Sequence, residues 1–598
     1  MSKRLILIIM AGAFLCLPLA SAWAELLNVP MGVAYYDPTR AYNGVTVLGM
    51  STGRTAYMID MDGRLIRKWT TTGTLWQNRL DEDGNLSADT VPSTPPGGAS
   101  WSGGGASGQI EEIAWDGTTH KLTMLTWDSD ARNHHDYMKI WNKKLQAYTY
   151  LCVMWVRKSN AQMSAAGCQI LPGSDQGIDG LYEYLPNYAT GSGGTVVWKW
   201  SFMEHVCQSV NPSLSTAPVI GPGTNPTTGY VYNHYVTNVF NTPNKIDANT
   251  VTSTRKGPIT DWQHINSMGY NADLGYIVIN SREWNEFFVI DHDGTFVDAS
   301  NYQNNFDAAA SSSGDFLYRF GSPRNYNAPN FTIGSTSYSN EPGWNSNGSM
   351  QINGLHCIHF IPDYFYMDGG SPPKPLGPSM ANVGAGHMLG FDNHTTNDSA
   401  FGGYTQIIEV NPYVSGWNGN YMTGSSWVWP HNAPYLNATT VGTGALGAGY
   451  VHLSRQMVWR YRPLSMGQLF SGHISGTERL PNGNTLIDAA ETTHILEVTA
   501  GSGLNDPSEA ADGTSPQAVW EYNYPASATQ LAQLNSGGGS PTFRCYRYDL
   551  GHPAVSGHLQ MDPTTYVISL KAGETQQTGY GKTLNSQTPC RGIPCQEQ

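Results

Sequence analysis

The chain is dominated by short segments in which apolar and polar residues alternate, the period-2 pattern of half-buried β-strands. The clearest example is residues 470–487, where two such segments flank the turn Pro481-Asn482-Gly483-Asn484. Asn-Gly is the strongest short hairpin signal, because both central residues of a tight hairpin turn need positive φ. Further strand patterns follow at residues 494–499 and 518–522, so the local unit is predicted to have four strands.

Weaker copies of this unit recur along the chain. Six segments share an apolar–acidic–apolar strand, a Gly or loop, and a second strand with Trp or another aromatic residue: 57–69, 110–127, 181–200, 288–320, 407–429 and 495–522. Most are preceded by another hairpin; before the first, residues 45–48 either supply part of one or close a ring with the C-terminal part. Repeats of four short strands with periodic aromatic residues are typical of β-propellers. We therefore predict an all-β, six-bladed β-propeller over residues 25–570, with long loops on its faces and a tail over 571–598.

Composition and the N-terminal segment narrow the classes of function. Charged residues make up 13% of the 598 residues, the net charge is -14, and no basic block offsets it, so nucleic acid and anionic membranes are not expected partners. Lys3 and Arg4, the apolar run after them and Ala22-Trp23-Ala24 predict a signal peptide over residues 1–24. We expect a periplasmic or secreted protein without membrane insertion. Of its seven remaining cysteines Cys590 and Cys595 are expected to pair, and at least one must stay a thiol.

The histidines are placed unevenly. Of 17 histidines, four begin the first strand of units three to six: His135, His264, His356 and His473. The first strand of each blade lines the central channel of a propeller, so these imidazoles are expected to converge. A single histidine is more often a core or surface side chain satisfied by the backbone, but four in one repeat phase favour a shared site. Converging imidazoles can act as acid, base or nucleophile, bind a metal, or bind an anion.

Other side chains could support this site. His205 could join it from the loop before the fourth blade, and His134 and His359 are neighbours of the repeat position. Positive charge could come from arginines, which would indicate an anionic group on the substrate: Arg282, Arg479, Arg544 and Arg547. Asp136 and Asp261 are the main nearby carboxylates. The sequence has no Gly-x-Ser-x-Gly elbow, P-loop or dinucleotide-binding fingerprint.

Several motifs together resemble the bacterial aryl-sulfate sulfotransferase family. They are Asp261-Trp-Gln-His-Ile-Asn-Ser267, Ile277-Val-Ile-Asn-Ser-Arg282, Leu317-Tyr-Arg-Phe-Gly321, His356-Cys-Ile-His-Phe-Ile-Pro362, Ile474-Ser-Gly-Thr-Glu-Arg-Leu-Pro-Asn-Gly-Asn-Thr-Leu-Ile487 and Phe543-Arg-Cys-Tyr-Arg-Tyr548. The resemblance spans about residues 30–550. One departure is clear: the arginine that the family carries shortly after the Phe391-Asp392-Asn393 segment is absent here, where His394 follows.

The resemblance implies an exported six-bladed propeller that moves a sulfuryl group from a phenolic sulfate to a phenolic acceptor. No nucleotide donor or other cofactor is implied, and a channel histidine becomes transiently sulfated. By motif position His473 resembles the nucleophile, and His264 and His356 resemble the supporting histidines. The residues expected to contact substrate are His135, His205, His359, Arg282 and Arg479.

Two other functions stay open from the sequence. The first is a metal enzyme in which His135, His264 and His356, with or without His205 or His473, bind Fe, Cu or Zn. The second is a non-catalytic extracellular propeller with a binding or structural role, which low charge, abundant Tyr and long polar loops would also suit.

Overall fold

The computed structural model describes most of the region predicted to form the propeller. The described residues are 32–94, 104–166, 176–207, 262–296, 316–322, 352–362, 384–393, 405–412, 456–461, 469–501, 516–523 and 542–574, apart from positions 52 and 493, with a few isolated residues and short strands between these ranges. The predicted signal peptide, Asp261, and the cysteines at 590 and 595 lie outside them.

Six four-stranded antiparallel sheets, blades I to VI, contain most of the described chain. A first strand, β1 (Gly32–Tyr36), precedes β2 (Gly44–Met50), β3 (Thr55–Ile59) and β4 (Leu65–Thr70) of blade I. Blade II is β5 (Thr74–Leu80), β6 (Leu86–Val91), β7 (Gln109–Ile113) and β8 (His120–Leu125). Blade III is β9 (Ala131–Asn142), β10 (Ala147–Lys158), β11 (Gln176–Pro186) and β12 (Gly194–Ser201), with helix α1 (Asn160–Ala165) between β10 and β11 and a 3-10 turn (Phe202–His205) after β12.

The second half of the ring has shorter strands and additional small pairs. A parallel pair, β13 (Val206–Cys207) and β14 (Ile246–Asp247), precedes blade IV, which is β15 (Met268–Asn271), β16 (Tyr276–Ser281), β17 (Glu286–Asp291) and β18 (Tyr318–Phe320). Then follow the pair β19 (Phe331–Ile333) and β20 (Thr336–Tyr338), strand β21 (His356–Phe360), and the pair β22 (Tyr366–Asp368) and β23 (Lys374–Pro375). Strands β24 (Met388–Asp392), β25 (Gln406–Val410) and β26 (Met457–Tyr461) complete blade V with β21.

Blade VI and the C-terminal part close the ring. Blade VI is β27 (Gly476–Arg479), β28 (Thr485–Ala489), β29 (His494–Val498) and β30 (Ala518–Asn523), with a 3-10 turn at Ala490–Thr492. Strand β31 (Thr542–Asp549) is the inner strand of blade I, and after it come helix α2 (Pro553–Ser556) and the hairpin β32 (Leu559–Met561) and β33 (Ile568–Leu570). No helix among the described residues is long and apolar enough to cross a membrane.

The predicted six-bladed propeller is confirmed. The inner strands contact one another in the order β31, β5, β9, β15, β21, β27 and back to β31. Residues 45–48 fill both roles left open for them: they form part of blade I beside β3, and they pair with the C-terminal part, where Val45 lies opposite Tyr548 and Thr46 opposite Arg547. Strand β1 adds a fifth, outer strand to blade VI by pairing with β30. Blade I thus contains the C-terminal strand β31, and blade VI contains the N-terminal strand β1.

The repeated aromatic residue of the sequence pattern has a structural cause. Trp69, Trp198, Trp459 and Trp520 lie on the last strands of four blades and are buried. Their indole N–H groups donate to the next blade: to Ala114 O at 3.0 Å, Thr295 Oγ1 at 3.0 Å, Ala500 O at 2.6 Å and Met61 O at 2.8 Å. A buried indole needs a partner for its polar end, and these contacts join neighbouring blades.

The inner strands are also linked by side chains that accept backbone N–H groups of an adjacent blade. The pairs are Met268 N to Asp136 Oδ2 (2.9 Å), Ile358 N to Ser267 Oγ (3.0 Å), Thr477 N to Cys357 Sγ (3.4 Å), Arg547 N to Glu478 Oε2 (2.8 Å) and Leu80 N to Tyr548 OH (2.8 Å). Cys357 is one of four described cysteines that are buried thiols, with Cys152, Cys168 and Cys545. These bonds satisfy backbone donors where neighbouring sheets converge.

A buried ion pair between blades III and IV makes stability depend on pH. His292 Nε2 lies 2.8 Å from Glu183 Oε2, and its Nδ1 lies 2.9 Å from Asp293 Oδ1. Burial alone would lower the pKa of His292, but the two carboxylates raise it to about 9. A raised histidine pKa means that the contribution is complete below the unfolded value of about 6.5 and is lost as pH rises towards 9.

We therefore expect His292→Gln to flatten this part of the stability profile. Urea unfolding of the unmodified chain should show a loss of about 3 kcal/mol between pH 6.5 and 9 from this group. The variant should lack that slope, whereas His120→Gln, at a partly exposed position in blade II, should retain it. Parallel profiles for His292→Gln and the unmodified chain would contradict the prediction.

Candidate functional site

In each of blades III to VI, one residue in the inner strand or just before it has an unusual backbone conformation. His135, His264, Cys357 and Ile474 have φ of 56, 53, 54 and 53°. Residues with a Cβ rarely adopt the left-handed region, and the conformation persists only where the surroundings hold it. Such residues cluster at functional sites. In blades III and IV the left-handed residue is the predicted histidine itself, whereas in blades V and VI it is the next residue, Cys357 after His356 and Ile474 after His473.

Three of the four histidines at this position converge as expected. The rings of His135 and His264 meet edge to face, with centroids 4.6 Å apart. The pKa of His135 is well below its usual value, first because of burial and then because of His264, His134, His356 and Arg544. Burial, Arg282 and His264 likewise lower the pKa of His356. Both imidazoles are therefore neutral at pH 7.

The hydrogen bonds of His356 fix its tautomer. Its Nδ1 lies 2.6 Å from Asn393 Oδ1 and 2.9 Å from Gly354 O, and both oxygens can only accept, so the proton is on Nδ1. The Asn393 amide is oriented by donating to Ser471 O at 2.7 Å and Ile474 O at 3.1 Å. The Nε2 atom of His356 accepts the Ile474 N–H at 3.2 Å. Asn393, from the Phe-Asp-Asn segment, thus positions His356.

The fourth histidine does not join the other three, and here the prediction of a four-membered cluster needs correction. The side chain of His473 is 58% exposed and pairs through Nδ1 with Glu491. Ile474 and Ser475 follow with φ of 53 and 88°. This turn places the Ile474 N–H at His356, while the His473 ring lies outside, against Glu491.

The other predicted substrate contacts are spread over the molecule. Arg282 lies near His356, whose pKa it lowers, and its guanidinium pairs with Glu283 at 2.7 Å. Arg479 instead joins blades V and VI: it lies 2.5 Å from Glu409 Oε2 and over the ring of Trp459. That arginine is a structural residue, because its charge is already neutralised in a buried pair.

His205 and His359 also lie apart from the three converging imidazoles. His205 is buried in the 3-10 turn after blade III, stacked on Trp200 with centroids 5.1 Å apart. His359 lies further along its inner strand, its Nδ1 2.9 Å from Cys357 O, and burial lowers its pKa to about 4. That these two contact substrate stays a prediction, and their positions do not bring them to the three converging imidazoles.

A buried ionic cluster crosses the channel beside the imidazoles. Asp136 accepts from Arg544 Nη1 at 2.6 Å, Gln77 Nε2 at 2.6 Å and Arg79 Nη2 at 3.2 Å, and Arg544 Nη2 donates to Asn266 O at 2.6 Å. Burial alone would raise the pKa of Asp136, but Arg544 and Arg79 lower it. This cluster holds the inner strands of blades I to IV in fixed positions.

On the far side of the ionic cluster lies a cavity of about 650 Å³. Its walls are the later parts of the inner strands, and they include Lys139, Tyr270, His359, Glu478 and Tyr546. This volume is within the range of small-molecule sites. The imidazoles of His135, His264 and His356 are not part of its lining.

Two aromatic side chains that are not among the predicted site residues flank His135. The centroids of Trp76 and Phe543 each lie 6.2 Å from the His135 ring, and 5.3 Å from each other. They come from the inner strands of blades II and I, which are far apart in the sequence. Phe543 begins a motif noted in the sequence, residues 543–548, whereas nothing in the sequence marked Trp76 as a site residue. An aromatic wall beside imidazoles suits a substrate with an aromatic ring.

The metal alternative requires a cluster of donor side chains. In the part of the chain that the structure describes, no group of three or more His, Cys, Asp or Glu side chains has the geometry to hold a metal ion. Nδ1 of His356 is also engaged with Asn393 and Gly354.

The chain matches no protein-family model, and no curated protein matches it in sequence. Among solved structures, it is similar to the periplasmic gluconolactonase PpgL of Pseudomonas aeruginosa at 10% identity and a TM-score of 0.31, over 83% of this chain and 97% of that one. A protein from Lactobacillus plantarum gives 9% identity and a TM-score of 0.31, over 85% and 100%. Kuenenia stuttgartiensis hydrazine synthase gives 10% and 0.25, over 44% of this chain and 59% of that one. None of these likenesses bears on function.

Proposed function

We propose that the protein is a periplasmic or secreted aryl-sulfate sulfotransferase that needs no nucleotide donor. It would move a sulfuryl group from a phenolic sulfate to a phenolic acceptor through a sulfohistidine. The observation that carries the proposal is the convergence of His135, His264 and His356 beside an aromatic wall. Neutral imidazoles are nucleophiles for such a group, and they are collected here from three blades.

The charges around the imidazoles suit an anionic substrate group. Arg282 contributes to the lowered pKa of His356, and Arg544 contributes to the lowered pKa of His135. Fixed cations near a transferring group stabilise the charge on its oxygens. Each of these guanidinium groups is paired with a carboxylate, Arg282 with Glu283 and Arg544 with Asp136, so they offer a local positive potential and not a free charge where the arginine expected after Asn393 is absent. Asn393 has the separate role of orienting His356.

The aromatic wall gives a reason for a phenolic substrate. Trp76 and Phe543 lie next to the His135 ring and next to each other, so a phenol ring packed against them would bring its ester oxygen near the imidazoles. Holding donor and nucleophile in this way converts a bimolecular step into a local one.

The proposal is tested by sulfuryl exchange between p-nitrophenyl sulfate and phenol, followed by release of p-nitrophenolate. We expect turnover with phenol, parallel double-reciprocal plots for the two substrates, and a loss of about 10²-fold or more in His356→Asn. His120→Asn, on an outer strand of blade II, is the control and should keep its rate. A folded chain that releases no p-nitrophenolate in the presence of phenol would refute the proposal and favour a non-catalytic propeller.

A further inference from the structure

We propose that His135 is the residue that carries the sulfuryl group, and that Asp179 and His134 position it for this role. This inference rests on the proposed function and concerns which imidazole reacts. It differs from the expectation based on motif position, in which His473 is the nucleophile.

The first link of this chain of residues is between Asp179 and His134. Nε2 of His134 lies 2.9 Å from Asp179 Oδ1, and both side chains are completely buried. The two atoms lie within ion-pair distance but without the alignment of a hydrogen bond, so Asp179 acts on the His134 ring through charge. The ring is held in orientation by stacking on Trp155, with centroids 4.2 Å apart and planes 12° apart.

The second link is between the two histidines. Nδ1 of His134 and Nδ1 of His135 lie 2.8 Å apart, so one of the two nitrogens must donate. In the proposed arrangement His135 Nδ1 donates to His134 Nδ1. The in-plane lone pair of neutral His135 is then on Nε2, which is the form that a nucleophile needs.

The backbone and a glycine prevent His135 from leaving this orientation. Its φ is 56°, and its N–H donates to Gly105 O at 2.8 Å. Gly105 also packs on the ring, because a Cβ at that position would lie 2.3 Å from both Cε1 and Nε2 of His135. A ring held from two sides is preorganised for attack in one direction.

Two of the alternatives, His356 and His473, have nitrogens engaged elsewhere. Nε2 of His356 accepts the Ile474 N–H, and its Nδ1 is protonated towards Asn393. His473 points outward to Glu491. His264 packs with its ring against that of His135, a position suited to contact the sulfuryl oxygens during transfer.

The proposed step balances in atoms and electrons. The Nε2 lone pair of His135 forms the N–S bond while the S–O bond to the donor breaks, and the phenolate leaves with that electron pair. The Nδ1 proton of His135 passes to His134 Nδ1, whose imidazolium faces Asp179. An acceptor phenolate, its proton already given to solvent, then attacks sulfur; the N–S electron pair returns to Nε2 and the proton returns to His135.

The direct test uses the unmodified protein. It is incubated with p-nitrophenyl sulfate without acceptor and digested, and the peptides are mapped by mass spectrometry for one added SO3 group. We expect the adduct on His135. An adduct on His473 or His356 would overturn this inference while supporting the proposed function, and an unmodified chain that releases no p-nitrophenolate even with phenol would overturn both.

A matched pair of variants gives a second readout. His135→Gly leaves a ring-sized space at a positive φ that glycine adopts without strain, and His264→Gly does the same at φ 53°. We expect added imidazole to restore p-nitrophenolate release in His135→Gly and not in His264→Gly, and the adduct on His135 to persist in His264→Gly. Equal response of both variants to imidazole would contradict the assignment.

The positioning role has its own test. Asp179→Asn removes the charge with little change in size, and His134→Phe keeps a ring against Trp155 but removes both nitrogens. We expect the rate of adduct formation in the folded fraction to fall about 10²-fold in each, with the KM for p-nitrophenyl sulfate little changed. A fall in melting temperature with an unchanged rate in the folded fraction would show a purely structural role and overturn this part.

Discussion

A chain that ends at residue 541 is expected to remain unfolded. The deletion removes β31, the inner strand of blade I, whose Val45–Tyr548 and Thr46–Arg547 pairings close the ring. It also removes two buried cations, since Arg544 pairs with Asp136 and Arg547 with Glu497. Breaking one buried pair costs about 3–5 kcal/mol, so two such losses, with the loss of the strand pairing added, are comparable to the roughly 5–15 kcal/mol by which folded domains are stable.

The measurement is near-ultraviolet circular dichroism with size-exclusion chromatography of the purified chains. A second chain that ends at residue 574 keeps β31, α2 and the β32–β33 hairpin and is the matched control, which should fold like the full chain. A compact, cooperative 541-residue product would show that the ring does not need its C-terminal strand.

Much of this architecture could be predicted because the repeat pattern records contacts between blades. Trp69, Trp198, Trp459 and Trp520 recur in the sequence because each joins its blade to the next. The acidic residue of the apolar–acidic–apolar strand has a similar origin in some blades. Glu409 pairs with Arg479 across a blade boundary, as Glu497 does with Arg547. The number of blades could therefore be predicted from local sequence patterns.

The site could be predicted only in part, because its remaining contacts depend on turns and on distant partners. His473 precedes the left-handed residues of its blade, whereas His135 and His264 are themselves left-handed, and its ring turns outward to Glu491. Asp179 lies on the third strand of blade III, where nothing in its local pattern marks it as the partner of His134. Trp76 and Phe543 meet at His135 only because the ring closes. Such pairings follow from topology and not from spacing.

Asp136→Asn is expected to produce the largest loss of stability among single substitutions near the site. The carboxylate binds Arg544 and Arg79; Asp136 and Arg544 are buried, and the Arg79 side chain is 20% exposed. Asparagine can keep the hydrogen bond from Met268 N, but it leaves both guanidinium groups without a counter-charge. Removing one partner of a buried pair costs about 3–5 kcal/mol, and we expect a decrease of this size in the free energy of unfolding at pH 7.

Urea unfolding followed by tryptophan fluorescence measures this loss, with Asp130→Asn as the control because Asp130 is exposed and should change stability by less than about 0.5 kcal/mol. The pKa of Asp136 lies below 3.8 in the folded state, so its contribution is complete above that value and is lost as pH falls further. The two unfolding curves, well separated at neutral pH, should therefore approach each other in strong acid. Coincident curves at pH 7 would mean that the two arginines find other partners, and the ionic cluster would then not be what fixes the inner strands around the imidazoles.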